Sequence, residues 1–209
     1  MGSPRSPRAR RLLRRRERRR TVDSRAAVAA NERDGQLWTI GSAETVAWIQ
    51  AGTTGGCVIT SAIPPGFAAY ATIVEPSPTY SADDAWRRQE IALLSVLRQF
   101  GSPRWWLGYL DTGSDDVVFP RATKTTLYAD WRYVLVEAGR DEAMTWRDTM
   151  PDLIFPADRS WMVSTLWDDT WTCVAGSEEL LARLDDEPLI RPRRVGLGDI
   201  VAPPGHSCI

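Results

Sequence analysis

Histidine and lysine are almost missing: one His, His206, and one Lys, Lys124, stand in 209 residues. His206 lies in a Pro-Gly-rich tail with no nucleophile at motif spacing, so a Ser-His-Asp arrangement has no support in the sequence. Cysteine is scarce too. Cys57, Cys173 and Cys208 are widely spaced and form no C-x-x-C pair, which excludes an obvious zinc site or disulfide scaffold and reads as buried or idle thiols in a reducing cytosol. Cys208 is followed by one residue only, so it is no prenylation signal. Neither phosphate-binding glycine motif occurs, and "TTGGC" at 53–57 reads as a loop. No run approaches the roughly 20 apolar residues of a membrane helix. The segment after "RRLLRRRERRR" lacks the apolar stretch of an export signal. The expectation is a cytoplasmic protein with no cofactor, no metal and no membrane partner.

What is present is unevenly placed. Ten of the 26 basic residues and one of the 27 acids fall in residues 1–20, leaving 16 against 26, a net charge of −10, for 21–209. The body therefore repels nucleic acid and favours basic partners. Residues 1–34 read as a disordered Arg-rich extension, 35–200 as one globular domain, and 201–209 as a C-terminal tail. Two readings of the extension compete. It is either a polybasic arm, the one route to nucleic acid, or translated upstream sequence, since Arg outnumbers Lys 25 to 1.

Local patterns then place elements. "SAETVAWIQAG" reads as a short helix with Ser42 as cap and Gly52 as stop. A turn at Pro64-Pro65-Gly66 leads into a strand near 67–74. "SADDAWRRQEIALLSVLRQFGSP" predicts a long helix over about 82–100, capped by Ser81 with Asp84 returning the bond, with Trp86, Leu93, Val96, Leu97 and Phe100 on one face. β-type runs follow. Residues 161–175 alternate as a hairpin, and "SEELLARLDDEP" gives a helix capped by Ser177 with Leu180, Leu181 and Leu184 inward. Helices and strands segregate, which predicts α+β: a mainly antiparallel sheet, one long helix and short flanking helices.

Two features bear on function. "YLDTGSDD" matches the Asp-Thr-Gly turn of aspartic proteases, with Asp111, Thr112 and Gly113 in the catalytic places. No second Asp-Thr/Ser-Gly occurs, so this reading needs a homodimer. Residues 120–160 also hold one glycine, Gly139, where a glycine-rich flap would lie. Asp-Thr-Gly is ordinary turn chemistry as well. The acid pairs Asp83-Asp84, Asp115-Asp116, Asp168-Asp169 and Asp185-Asp186 read as helix first turns and hairpin tips, because neighbours on a strand diverge. The second feature is ten tryptophans. Trp86 and Trp161 read as core, while Trp105, Trp106, Trp131, Trp146, Trp167 and Trp171 cannot all be interior. Trp105, Trp106, Trp131, Trp167 and Trp171 are the expected binding residues.

Residues 63–76, "IPPGFAAYATIVEP", and 155–189, with "PADRSW" and "VAGS", resemble a family of actinobacterial proteins of unknown function. Those proteins carry Pro-x-Gly-Phe-x-x-Tyr-Ala, Pro-x-Asp-Arg-x-Trp and Val-Gly/Ala-Gly-Ser boxes. The resemblance spans roughly 36–200 and departs at Trp167. It implies that Asp111 opens a variable loop, and it implies no activity. In class alone the chain also resembles the SUKH toxin-immunity superfamily. The sequence thus predicts a non-catalytic module for an unknown protein or peptide. The alternatives are a dimeric aspartic-type hydrolase and an immunity-type inhibitor of a basic toxin.

Overall fold

The computed structural model describes residues 29–74, 76, 82–113, 118–128, 130–144, 146, 150–166 and 169–208. The arginine block, Trp167, Asp115-Asp116, Asp168 and the expected cap at Ser81 lie outside the described residues.

Helix α1 runs Ala43–Gly52, α2 Ala82–Leu97 and α3 Glu178–Asp185. The strands are β1 Glu32–Arg33, β2 Gln36–Leu37, β3 Thr39–Ile40, β4 Ala69–Val74, β5 Arg104–Leu110, β6 Thr125–Leu127, β7 Trp131–Gly139, β8 Leu153–Pro156, β9 Met162–Ser164, β10 Trp171–Gly176 and β11 Pro192–Arg194. β1 and β2 form a small hairpin. The other nine strands make one sheet in the order β11-β4-β10-β9-β8-β5-β7-β3, with β6 also paired to β7. Every pairing is antiparallel.

This architecture corrects the predicted class. The molecule is mostly β, and no single long helix organises it. Two physical reasons separate the expectation from the fold. Five of the sheet strands, β3, β6, β8, β9 and β11, span four residues or fewer, too short to leave a periodic signature. The apolar face from Leu93 to Phe100 also outlasts its helix. After Leu97 the bonds tighten, with Gln99 N donating to Val96 O at 3.0 Å and Phe100 N to Leu97 O at 3.1 Å. Gly101 then turns left-handed at φ 69°.

The sheet is covered on both sides. Successive strand residues face opposite ways. Trp105, Leu107 and Tyr109 of β5 join Val134 and Val136 of β7, Val163 of β9 and Val174 of β10 under Leu93, Leu94 and Leu97 of α2 and the three leucines of α3. Tyr133, Leu135, Leu153, Phe155, Met162, Cys173 and Ala175 point the other way, beneath Val46 and Ile49 of α1 and beneath Ile59, Ile63 and Val201. An antiparallel sheet with one wet face would alternate apolar and polar residues. With both faces covered, "YVLV" reads as an unbroken run.

Both flanking helices are fixed by their ends. Ser42 N donates to Thr45 Oγ1 at 3.1 Å at the start of α1. Leu180 N donates to Ser177 Oγ at 3.1 Å at the start of α3, where Glu178 and Glu179 meet the positive end of the helix dipole. The expected hairpin is present as β9–β10, with Ser164 opposite Cys173 and Met162 opposite Ala175.

Both ends of the described chain are tied down by hydrogen bonds. Asn31 Nδ2 donates to Trp38 O at 3.0 Å and Arg33 Nη2 to Trp146 O at 3.2 Å. Beyond β11, Val201 N donates to Cys57 O at 2.9 Å, and Arg193 Nη2 donates to the carbonyls of residues 200, 201 and 202 at 2.9, 2.7 and 3.2 Å. A disulfide joins Cys57 to Cys208, with Cα atoms 5.8 Å apart. This corrects the reading of buried or idle thiols for Cys57 and Cys208; Cys173 is a free, buried thiol as expected.

Candidate functional site

Asp111 continues β5 into the Asp-Thr-Gly turn, and its carboxylate is spoken for. One oxygen accepts from Gly113 N at 3.1 Å, the local bond that makes such tripeptides common in turns. The other lies 3.1 Å from Lys124 Nζ and 3.6 Å from Arg132 Nη2. The sole lysine of the chain is thus one half of this pair, and the Asp111 side chain is only 6% exposed. Burial favours the neutral acid. The Lys124 hydrogen bond, the Gly113 N–H and the charges of Lys124 and Arg132 together outweigh it and hold the carboxyl below its ordinary value of 3.8. An aspartic-protease dyad needs two carboxyls sharing one proton, so that one of them is held neutral. Two cations holding Asp111 ionised serve the opposite purpose.

A depressed folded-state pKa stabilises the fold above the unfolded value, and the contribution is lost as the pH falls through the folded one. Asp111→Asn is therefore expected to cost about 1–2 kcal/mol near neutral pH, discounted for the exposed Arg132, and less at about pH 3. Urea melts at the two pH values check this. An equal cost at both would mean that the charge contributes nothing.

The described members of the predicted tryptophan set divide between the two sides of the sheet, Trp105 on one and Trp106, Trp131 and Trp171 on the other. Trp105 is 0% exposed, with Nε1 donating to Ser102 O at 3.1 Å and its ring edge-on to Trp161 at 4.9 Å. Trp171 is 2% exposed and edge-on to His206. Trp106 and Trp131 are half-buried and pack on the α1 side of the sheet, opposite Trp105. Trp167 is outside the described residues. Among the nine described tryptophans, none is exposed. The expectation is corrected for two of the set: Trp105 and Trp171 are core and present no surface to a partner. Cys173 offers no chemistry either, because burial pushes its thiol up and keeps it protonated.

A different tryptophan borders a groove. At one end of the sheet the start of β4, the end of β10 and the loop from β8 to β9 come together, since Ala69 pairs with Gly176 and Ala175 with Met162. The opening is about 410 Å³ and is bordered by Trp48 of α1, the 65–68 loop, Arg159, Ser160, Gly176 and Ser177. Its size falls within the range of sites that take small ligands. Asp111 lies at the opposite end of the sheet: Trp105 pairs with Pro156 at the groove end, whereas Gly108 pairs with Leu153 towards Asp111.

Each wall has a local cause. Tyr70 Oη accepts from Phe67 N at 3.0 Å and donates to Pro64 O at 3.4 Å, which locks the loop that Pro65 and Gly66 form. Gly66 sits at φ 120°, which side chains rarely adopt. Asp158 Oδ1 accepts from both the N–H and the hydroxyl of Ser160, at 3.1 and 2.8 Å. Arg159 N donates to Pro156 O at 2.9 Å. These bonds hold Arg159 at φ 56°, in the left-handed region, with its guanidinium 5.2 Å from the centre of the Trp48 ring. Trp161, two residues on, anchors the turn through Nε1 to Phe100 O at 3.1 Å. Gly176 is required by close approach, because an added Cβ would lie 2.6 Å from Leu180 Cδ2 and 3.1 Å from Trp161 Cβ.

Apart from Trp48, the groove residues come from the three boxes that stood out in the sequence: Pro65, Gly66, Phe67 and Ala68, then Arg159 and Ser160, then Gly176 and Ser177. Tryptophan count pointed elsewhere, but the Asp-Arg-x-Trp order was the available signal. Asp shapes the turn, Trp anchors it, and the residue between them and the core is offered outward. Among the described residues no group of His, Cys, Asp and Glu could hold a metal ion, and no helix is long and apolar enough to cross a membrane. No protein-family model, curated protein or solved structure matches the chain.

Proposed function

We propose that this protein is a non-catalytic binding module that takes a peptide segment of another protein in the groove beside Trp48. The observation that carries the reading is the convergence of three distant loops on Trp48, with rigid aromatic and proline walls beside one guanidinium. Recognition surfaces are built this way, from aromatic anchors and a few polar groups on a stiff scaffold. The hydroxyls at the groove are engaged in structure. Ser160 Oγ donates to Asp158, and Ser177 Oγ accepts from Leu180 N. They supply contacts rather than a nucleophile and its base. The Cys57–Cys208 bond gives no support to a reducing compartment.

Panning a displayed random-peptide library against the folded chain tests the proposal. Selected peptides are expected to compete with one another and to lose about tenfold or more in affinity on Trp48→Ala, with Phe67→Ala weakening them less. Circular dichroism of each variant serves as the fold control. Binders indifferent to both substitutions would refute it.

A further inference from the structure

We infer that the groove recognises a carboxylate set beside an apolar side chain; this rests on the binding reading above and names its ligand. The inference starts from Arg159. The acid next to it in sequence, Asp158, spends its Oδ1 on the N–H and hydroxyl of Ser160 and shapes the turn instead of pairing with the guanidinium. The first acid of α3, Glu178, lies 3.2 Å from Arg194, which also holds Asp185 at 2.7 Å. Some arginines of this acidic body are answered by carboxylates, Arg98 by Asp141 at 2.9 Å and Arg104 by Glu137 at 2.7 Å, whereas Arg193 bonds backbone carbonyls. Arg159 has no carboxylate partner among the described residues, and its contact is the Trp48 ring.

The guanidinium of Arg159 lies over the Trp48 ring, its carbon 5.2 Å from the ring centre. Its N–H fork, five donors in a plane, stays open to an acceptor approaching edge-on. A carboxylate matches that fork with two parallel hydrogen bonds. Trp48, Pro65 and Phe67 border the same opening and offer apolar area to whatever side chain accompanies the anion. The chemistry is met by the last residue of a peptide, with a free terminal carboxylate and an apolar side chain. It is met equally by a glutamate beside such a side chain.

Three fluorescein-labelled hexapeptides separate these sources: one ending in phenylalanine as the free acid, the same peptide as its amide, and an amide with glutamate in the penultimate place. Anisotropy titrations are run on the wild-type chain and on Arg159→Gln, Trp48→Ala and Phe67→Ala. The free acid is expected to bind about tenfold tighter than its amide, with that advantage abolished by Arg159→Gln and reduced by salt. Recovery of affinity by the glutamate amide supports carboxylate recognition and assigns the side chain as a source. Acid and amide binding equally, yet both losing affinity on Trp48→Ala, overturns this inference and leaves the peptide reading standing. Binding insensitive to Trp48→Ala and Phe67→Ala overturns both, and no binding of any probe at about millimolar concentration overturns this one.

Discussion

Trp161→Ala is expected to cost about 3–5 kcal/mol of folding stability, as full truncation of a buried aromatic ring does. Trp161 is 0% exposed and packs edge-on against Trp105, which is also 0% exposed, at an interplanar angle of 89°. Its loss removes three contributions together. The apolar area returns to water, Trp105 loses the partner that fills the space beside it, and Phe100 O loses the N–H held at 3.1 Å. The site collapses poorly, since both rings lie between the sheet and the helices that cover it. A chain of this length loses roughly 2–4 °C per kcal/mol, so a fall of about 6–20 °C in Tm is expected. Trp161→Phe keeps the ring contact without the N–H and should lose about half as much. Thermal melts of the two variants decide it. A shift for Trp161→Ala within about 2 °C of wild type would contradict the packing described.

Reduction of the Cys57–Cys208 bond is expected to be the other large effect. The two residues are separated by 151 positions, so the bond closes a ring of most of the chain and removes much freedom from the unfolded state. The loop-entropy relation gives about 5 kcal/mol for a ring this size, and measured values commonly fall below such estimates. A loss of about 3–5 kcal/mol is therefore expected on adding a reductant. Val201 N to Cys57 O and the bridge between Val58 and Ile200 remain after reduction, so the native state should keep its strand pairing. The effect enters mainly through the unfolded chain. Cys208→Ser should reproduce the loss and make stability insensitive to reductant. Urea melts of both proteins, with and without dithiothreitol, read this out, and a wild-type midpoint that does not move would show that the thiols are independent.

How much of this was legible beforehand follows the range of the interactions involved. Ser42, Gly52 and Ser177 marked the ends of α1 and α3, because capping is settled within one turn of chain. The β9–β10 hairpin showed through its alternation for the same reason, its partners being close in sequence. Phe100 misled, since helical spacing records which residues are buried together and not where the helical bonds stop. The strand class was understated where short strands such as β3 and β11 take their conformation from neighbours far along the chain, Thr39 from Glu137 and Arg193 from Thr72. Tryptophan abundance gave burial and not location: a ring with so much apolar area is driven inward wherever the sheet offers cover, as at Trp105 and Trp171.

The sequence by itself determined the local matters: two capped helices, the Pro-Gly turn before β4, the Asp-Arg-x-Trp turn, and a body more acidic than basic. Only the tertiary structure decided that Lys124 and Arg132 pair with an ionised Asp111, that Cys57 meets Cys208, and that Trp48, Phe67 and Arg159 face one opening. Each of those depends on which distant strands become neighbours. Strand order is chosen by the free energy of covering both faces of the whole sheet, a quantity that no single stretch of residues carries.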